Sequence, residues 1–512
     1  MILGIDAGGT NYDGVALQEG DGVVATAKKP SDEPDAFDEL LDDLIRNVDT
    51  IDRLVVSTTR VLNAAVQDAL PECANVLIPG VGLSPELAYA GEENFVAEGC
   101  IDHRGRLTEP LDVSGIEPSC DTVAVTAKFS TRNPEPERET ADALDTSVVA
   151  LGHESGGALG FPARAETTVA NAKSKPVFGD FESSLHDALE NRGVEAPVYY
   201  LKGDAAMLSR ESAKTTPAHT LRSGPASSSL GLVALSDVDE AVCVDVGGTT
   251  TDVTLVENGF PSLTEGVGAG CLSTFYDGVV SVDATVGGDT RVDGDGLTGI
   301  RDGPPAAFGG PSPTPTDALR VLGETTEGDE ERARDALETL GEPEEVARET
   351  ADGFVTAIAE AVGSLESPSG TVVLGGALAP ALADRLADCL GWASEVVVPE
   401  NAAVCGAVGC AVARVSVKTH VRVDTARGEM TVASAGKEKV QEVERGKEYD
   451  EDEARRLVRR ETAEATHRAG GEATPDDVQI TSFRGFNVVE NGRVVGTIVD
   501  AEAQAQPGGT EL

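Results

Sequence analysis

One eight-residue pattern occurs twice in this chain and constrains its fold more than any other feature. Residues 6–13 and 245–252 both read D-x-G-G-T-x-x-D, and the second copy begins 239 residues after the first. Each copy follows an apolar, strand-like run and precedes another such run that ends in a turn, E-G-D-G in the first case and E-N-G in the second. The repeat predicts two homologous α/β lobes that each present the same tight β-hairpin.

The residue types in this pattern favour phosphate binding. Paired glycines bring backbone N–H groups close to an anion without a Cβ in the way. The threonine hydroxyl adds a hydrogen bond to phosphate oxygens. Two such hairpins that face each other would hold a triphosphate from both sides. The predicted phosphate-binding residues are Gly8, Gly9, Thr10, Asn11, Gly247, Gly248, Thr249 and Thr250.

Four aspartates of the two copies are candidate catalytic or metal-site residues. Asp6 and Asp245 lead the copies and are predicted to act in catalysis and to hold Mg²⁺ through water, since this ion usually keeps much of its hydration shell. Asp13 and Asp252 close the copies. They are predicted either to orient the water shell of the metal or only to cap their hairpins.

A third element fits an adenosine group. Residues 372–377, V-V-L-G-G-A, predict a strand that ends in Gly375 and Gly376 before a helix, and glycines there allow close approach of a ring or ribose. Its position after two phosphate hairpins resembles the order of motifs in the actin, sugar-kinase and Hsp70 ATPase superfamily. The predicted fold class is therefore a two-lobed α/β fold of this actin-like, ribonuclease H-like type. The P-loop pattern G-x-x-x-x-G-K-[ST] is absent from the sequence.

The chain is predicted to have three parts. Residues 1–172 form a lobe with the first hairpin, 173–413 a lobe with the second hairpin and the adenosine motif, and 414–512 a small α+β appendage. Helical spacing is predicted over 34–47, 181–191 and 343–362, and small residues predict a closely packed helix over 401–414. The Gly/Pro-rich stretch 287–317 predicts a long functional loop, and residues 505–512 are predicted to be frayed.

Several segments narrow the family. They are S-G-P-A at 223–226, D-V-G-G-T-T-T-D-V at 245–253, C-I-D-H-R-G-R-L-T-E-P-L-D at 100–112, F-S-T-R-N-P-E-P-E-R-E at 129–139 and the Gly/Pro-rich run at 303–318. Together they resemble the hydantoinase A / 5-oxoprolinase family over residues 1 to about 413. S-G-P-A and the second hairpin are the most specific part of this resemblance.

The resemblance implies an enzyme that uses ATP, Mg²⁺ and often K⁺ to activate the carbonyl oxygen of a cyclic amide, such as hydantoin or 5-oxoproline, for hydrolysis. It also implies a B-type partner subunit. Related carboxylases act on ketones, so a ketone carboxylase subunit is an alternative. A small-molecule kinase of the same fold and a non-catalytic nucleotide switch are further alternatives. The appendage is a candidate surface for a homo-oligomer or for the partner.

The sequence departs from the family pattern where substrate or metal contacts are expected. H-G-T-T becomes S-T-T-R at 57–60, S-N-G-G becomes K-G-D-A at 202–205, and G-G-G-S becomes G-G-D-T at 287–290. Hydantoin and 5-oxoproline are therefore not assumed as substrates. Asp289 is a candidate polar site residue or a turn-forming aspartate. His153 and Glu154 are a candidate acid–base pair, although neighbours on one segment point in different directions.

The net charge of the chain limits which binding partners and which cellular compartment can be expected. A formal net charge of −49, spread over the chain, predicts a protein adapted to a salt-rich, haloarchaeal-type cytoplasm, where salt screens the self-repulsion. It disfavours binding to nucleic acid or to an anionic membrane. No apolar run reaches 18 residues, so no membrane-spanning helix is predicted. The eight cysteines include no C-x-x-C pair and are predicted to be free thiols in a reducing cytosol.

Overall fold

The computed structural model describes residues 1–508 except 34, 47, 49, 145, 157–159, 366–369 and 435–436. The first part of the chain alternates strands and helices: β1 (Ile2–Ala7), β2 (Asn11–Gln18), β3 (Gly22–Pro30), α1 (Ala36–Ile45), β4 (Arg53–Thr58), α2 (Arg60–Val66), β5 (Ala74–Ile78), β6 (Glu93–Val96), β7 (Glu98–Ile101), β8 (Leu107–Asp112), β9 (Thr122–Ala127), α3 (Glu135–Ala143) and β10 (Val148–Leu151). The ends of the predicted helix 34–47 lie outside the described residues.

The middle of the chain is mainly helical: α4 (Gly152–Ser155), α5 (Phe161–Glu190), β11 (Val198–Leu201), β12 (Met207–Ser209), α6 (Arg210–Thr215) and α7 (Ser223–Ser236). The second lobe follows with β13 (Ala241–Val246), β14 (Thr251–Glu257), β15 (Phe260–Pro261), β16 (Leu263–Thr264), β17 (Gly268–Ala269), β18 (Leu272–Ser273), β19 (Gly278–Val279), β20 (Ser281–Ala284), β21 (Val292–Asp293), β22 (Gly296–Leu297), α8 (Pro315–Val321), α9 (Glu330–Glu338), α10 (Pro343–Gly363), β23 (Thr371–Gly375), α11 (Ala379–Leu390), β24 (Glu395–Val397) and α12 (Cys405–Val412).

The main sheets of the two lobes share one topology. Written in the same direction, the first has the strand order β3-β2-β1-β4-β11-β12 and the second has β15-β14-β13-β23-β24. In both, the hairpin strands are antiparallel, and the first hairpin strand pairs in parallel with a strand that enters much later in the chain. The repeat in the sequence is therefore a repeat of the fold, and the two-lobed, actin-like α/β prediction is confirmed.

Helix α5 crosses the predicted boundary between residues 172 and 173, and β11 and β12 beyond it belong to the first sheet. The prediction began this helix only at residue 181, because Pro176 interrupts its interior. A proline removes one helical hydrogen bond. Buried residues on both sides of Pro176, including Ala172 and Phe178, carry the helix through that position by packing against the core.

Helix α12 joins the lobes. It packs against α7 of one lobe and against β1 and β2 of the other, and one core cluster contains Val15 of β2, Leu230 of α7 and Val408 of α12. Gly231 of α7 and Gly409 of α12 lie where an added Cβ would overlap the backbone of the facing helix. The small residues of this segment therefore allow the close packing that the sequence predicts.

The appendage is a sheet with the order β27-β26-β25-β29-β28, covered by one helix. Its elements are β25 (Lys418–Asp424), β26 (Glu429–Ser434), β27 (Lys437–Glu442), α13 (Glu451–Arg468), β28 (Val478–Glu490) and β29 (Arg493–Ala505). The predicted fraying is wrong for residues 505–508, since the backbone carbonyl of Pro507 accepts a hydrogen bond from the backbone N–H of Arg414 at 2.6 Å. Residues 509–512 lie outside the described part.

Candidate functional site

The two copies of the repeat form equivalent hairpins. Asp6 faces Asp13 across β1 and β2, and Asp245 faces Asp252 across β13 and β14. The predicted phosphate-binding residues lie in the turns between these strands, except Asn11, which begins β2. Gly9, in the first turn, and Gly247, in the second, are exposed, whereas the flanking aspartates are partly buried. Each turn therefore offers accessible backbone beside a pair of carboxylates.

The two hairpins meet at their tips. Thr10 Oγ1 and Thr249 Oγ1 lie 2.9 Å apart and share a hydrogen bond. A Cβ added to Gly248 would come within 2.7 Å of Thr10 Cγ2, so glycine is required at this point of contact between the lobes. The structure thus brings the predicted phosphate-binding turns together at one place between the lobes.

A serine hydroxyl fixes each leading aspartate. Ser57 donates to Asp6, and Ser228 donates to Asp245. Ser57 belongs to the segment 57–60 that departs from the family pattern, whereas Ser228 is a site residue that sequence reasoning missed. Ser228 lies five residues after the start of the S-G-P-A segment, on the helix α7 that this segment begins.

The carboxylates of the site share few positive charges. Burial, with repulsion from Asp13 and Asp245, raises the pKa of Asp6 to about 7, although the Ser57 hydrogen bond opposes the shift. Burial also raises the pKa of Asp13, against the attraction of Lys28, whose Nζ lies 2.8 Å from Asp13 Oδ1. For Asp252, burial and then repulsion from Asp283 raise the pKa.

This donor set fits a divalent cation held through water. Within the described ranges, no group of three or more His, Cys, Asp or Glu side chains is close enough to ligate one ion directly. Asp6, Asp13, Asp245 and Asp252 nevertheless repel one another at a partly buried place. A hydrated Mg²⁺ would relieve that repulsion without direct coordination by several carboxylates.

Two further segments contact the hairpins. Ser223, the first residue of S-G-P-A, donates its hydroxyl to the backbone carbonyl of Thr58 at 3.1 Å and so joins α7 to the end of β4. The loop 287–290 lies against the second hairpin: the N–H of Gly288 donates to Gly247 O at 2.9 Å, and that of Asp289 to Gly248 O at 2.8 Å. Asp289 is therefore beside the hairpin tips.

The predicted adenosine motif lies beside the second hairpin, next to its turn. Gly375 is the parallel partner of Asp245, and Gly376 follows with φ of 93°. A Cβ on Gly376 would overlap the backbone of Val246, so only glycine fits there. The motif and the second phosphate turn are thus joined through adjacent strands.

Two sequence-level candidates lie elsewhere. Within 202–205, Lys202 Nζ donates to Asp204 Oδ2 at 2.6 Å, and Gln504 Nε2 donates to the same oxygen at 3.1 Å, so this segment anchors the appendage. His153 pairs through Nδ1 with the buried Glu137 at 2.6 Å and not with Glu154. The sequence neighbour was therefore the wrong partner for this histidine.

Comparisons with known proteins identify relatives over most of the chain. The family model of the hydantoinase/oxoprolinase N-terminal region matches residues 2–148, and the hydantoinase/oxoprolinase model matches residues 164–419. The alpha subunit of caprolactamase from Pseudomonas jessenii is 25% identical over 393 residues, which cover 64% of this chain and 55% of that protein. An uncharacterized protein of Methanocaldococcus jannaschii is 24% identical over 47% of this chain and 41% of its own length. The chain thus spans about half the length of these curated relatives.

Solved structures show the same fold. The nucleotide-free structure of acetone carboxylase matches 100% of this chain and 88% of its own with a TM-score of 0.67 and 17% identity. The ATP-dependent caprolactamase of Pseudomonas jessenii matches 99% of this chain and 87% of its own with a TM-score of 0.62 and 20% identity. None of the helices in the described part of this chain is long and apolar enough to cross a membrane.

Proposed function

Because the chain belongs to the hydantoinase/oxoprolinase family, we propose that it uses ATP to activate the carbonyl oxygen of a cyclic amide for hydrolysis. The observation that carries the proposal is the contact between two equivalent glycine hairpins at Thr10 and Thr249, 2.9 Å apart. Paired turns with accessible backbone beside carboxylates suit a nucleotide triphosphate with its Mg²⁺.

The residues of this chain hold and orient the reactants. Gly8, Gly9, Gly247 and Gly248 present backbone N–H groups to phosphate oxygens, and Thr10, Asn11, Thr249 and Thr250 add polar side chains. Asp6 and Asp245, fixed by Ser57 and Ser228, would hold the water shell of Mg²⁺, and Asp13 and Asp252, opposite them on the hairpins, would orient it. Gly375 and Gly376 leave room for adenosine.

Positioning must supply most of the rate, because an amide oxygen is a poor nucleophile. ATP supplies a phosphoryl group that turns the amide oxygen into a leaving group, and Mg²⁺ neutralises negative charge on the phosphates. The hairpins hold this group in place while the two lobes bring the amide oxygen in line with it. K⁺ is proposed as a further ion, as the family resemblance implies.

A second subunit is proposed to complete the reaction. One relative is itself an alpha subunit, and this chain spans 55% of its length. We therefore expect a B-type subunit to supply the remaining steps on the activated amide. The net charge of −49 and the lack of a membrane-spanning helix in the described residues support a cytoplasmic site of action in a salt-rich cell.

The test is ATP hydrolysis by the purified protein in multi-molar KCl with Mg²⁺. The substrate panel contains hydantoin, 5-oxoproline, caprolactam, other lactams and acetone with bicarbonate. Stimulation by one cyclic amide, lost in Asp245→Asn, would support the proposal. Bicarbonate-dependent turnover of a ketone would favour the carboxylase, and an accumulating phosphorylated product would favour a kinase. ATP binding without turnover, even with a co-purified partner, would favour a nucleotide switch.

A further inference from the structure

A charge pair stands beside the meeting point of the two hairpins. A Cβ on Gly248 would come within 2.8 Å of Asp289 Oδ2 and within 2.7 Å of Thr10 Cγ2. The Asp289 carboxylate therefore flanks the gap between the tips. A negative charge there repels any phosphate bound by the hairpins, since both groups are anionic in a partly buried place.

Arg301 holds this carboxylate. Its Nε donates to Asp289 Oδ2 at 3.2 Å, and its side chain is 22% exposed. Among the described residues, the two terminal nitrogens of Arg301 have no hydrogen-bond partner. A guanidinium carries five N–H donors, so four of them remain available to an incoming anion.

The loop between β20 and α8 folds back on itself and so places Arg301 beside Asp289. The backbone N–H of Arg291 donates to Ile300 O at 2.7 Å, and that of Thr298 donates to Arg291 O at 3.0 Å. Strands β21 and β22 pair between them. Arg301 follows this ladder directly and returns to Asp289, which the backbone fixes to the second hairpin.

The position along the cleft indicates which phosphate is involved. The predicted adenosine motif contacts Val246, the last strand residue before the second turn, through Gly376. The chain then passes through Gly247 to Gly248, which adjoins both Thr10 and Asp289. The phosphate farthest from the adenosine therefore lies nearest to the Asp289–Arg301 pair.

We propose that Arg301 exchanges Asp289 for the terminal phosphate of a bound nucleoside triphosphate, so that the cleft prefers triphosphates to diphosphates. Asp289 competes with that phosphate for the guanidinium and keeps Arg301 at the tips of the hairpins in the nucleotide-free protein. This inference rests on the nucleotide binding of the proposed function, and it adds two residues that distinguish ATP from ADP.

The test measures equilibrium binding of ADP and of a non-hydrolysable ATP analogue, each with Mg²⁺, to the full chain. Arg301→Gln should weaken binding of the analogue by about tenfold or more, because it removes charge-assisted hydrogen bonds to the terminal phosphate, and should change ADP binding less than about twofold. Asp289→Asn should tighten binding of the analogue. Arg291→Gln, the matched control on the same loop, should change neither affinity, because its guanidinium faces Asp293 and Asp302 at 3.7 and 3.8 Å.

The outcomes separate this inference from the proposed function. If the wild type binds neither nucleotide, the proposed function is wrong. If the wild type binds both and Arg301→Gln weakens both equally at an unchanged melting temperature, the inference is wrong while the proposed function stands. Weaker binding of the analogue to Asp289→Asn would also contradict the proposal that Asp289 and the phosphate compete for Arg301.

Discussion

The two hairpins have the same sequence pattern but different surroundings. Beside the first, Lys28 lies 2.8 Å from Asp13 and supplies a fixed positive charge. Beside the second, Arg222 attracts Asp252, but its guanidinium pairs with the exposed Asp283 at 3.2 Å. The first copy is therefore partly neutralised by the protein, and the second depends more on a bound cation.

Their supports differ as well. The first turn is supported by Ser31, whose hydroxyl donates to Gly9 O at 2.7 Å and whose N–H donates to Thr10 O at 2.9 Å. The second turn is supported by the loop 287–290, about 40 residues further along the chain. The first turn is thus supported by a residue close to it in the chain, whereas the second is coupled to a long Gly/Pro-rich loop.

The largest expected effect tests whether both hairpins are needed for turnover. Asp6→Asn and Asp245→Asn should each slow ATP turnover by roughly 100- to 1,000-fold, because each removes a negative charge that would hold the hydrated Mg²⁺ beside the phosphates. The measurement is steady-state ATP hydrolysis with the stimulating substrate. A variant with unchanged turnover would remove its hairpin from the catalytic site.

The next effect is a pH dependence of stability in the nucleotide-free protein. The pKa of Asp6 in the folded protein is about 7, whereas its ordinary value is 3.8, so the folded protein binds this proton more tightly than the unfolded chain does. The stability that results is fully present below about pH 4 and is lost as the pH rises through 7. Relative to wild type, Asp6→Asn should gain about 4 kcal/mol of unfolding free energy between pH 4 and pH 8.

Denaturant unfolding of both proteins at the same KCl concentration checks this. Asp252→Asn should show the same sign, because burial also raises the pKa of Asp252. A constant difference between variant and wild type across this pH range would contradict the assigned pKa of Asp6.

A smaller effect distinguishes the two charge environments. Lys28→Met should lower the free energy of unfolding by about 2 kcal/mol, since it leaves the largely buried Asp13 without its cation. Arg222→Met should cost about 0.5 kcal/mol, because its partner Asp283 is 40% exposed. Thermal unfolding in high salt measures both, and equal losses would erase the proposed difference between the hairpins.

The smallest effect tests the contact between the tips. Gly248→Ala should weaken ATP binding by about tenfold, because the new methyl group would push Thr10 and Asp289 away from the gap. Gly179→Ala is the control, because a new Cβ at this position of α5 would have no heavy atom within 4 Å. Equal affinities of the two variants would show that the tips separate when nucleotide binds.

Local patterns in the sequence predicted the hairpins, the strand that ends in a Gly–Gly pair before a helix, and the two-lobed fold, because each depends on a few adjacent residues. Features that depend on tertiary packing were missed. Helix α5 passes through Pro176, Ser228 reaches Asp245 from another element, and His153 pairs with Glu137 sixteen residues away. The sequence singled out Asp289 but could not place it, because Asp289 follows β20 whereas its partner Gly248 precedes β14.

The most direct test of the central claim is a calorimetric titration of wild type, Thr10→Val and Thr249→Val with a non-hydrolysable ATP analogue and Mg²⁺. If the two hairpins bind one nucleotide together, the wild type takes up one molecule per chain, and each variant loses about tenfold in affinity. Wild-type affinity in either variant would contradict the account, because one hairpin would then bind the nucleotide alone.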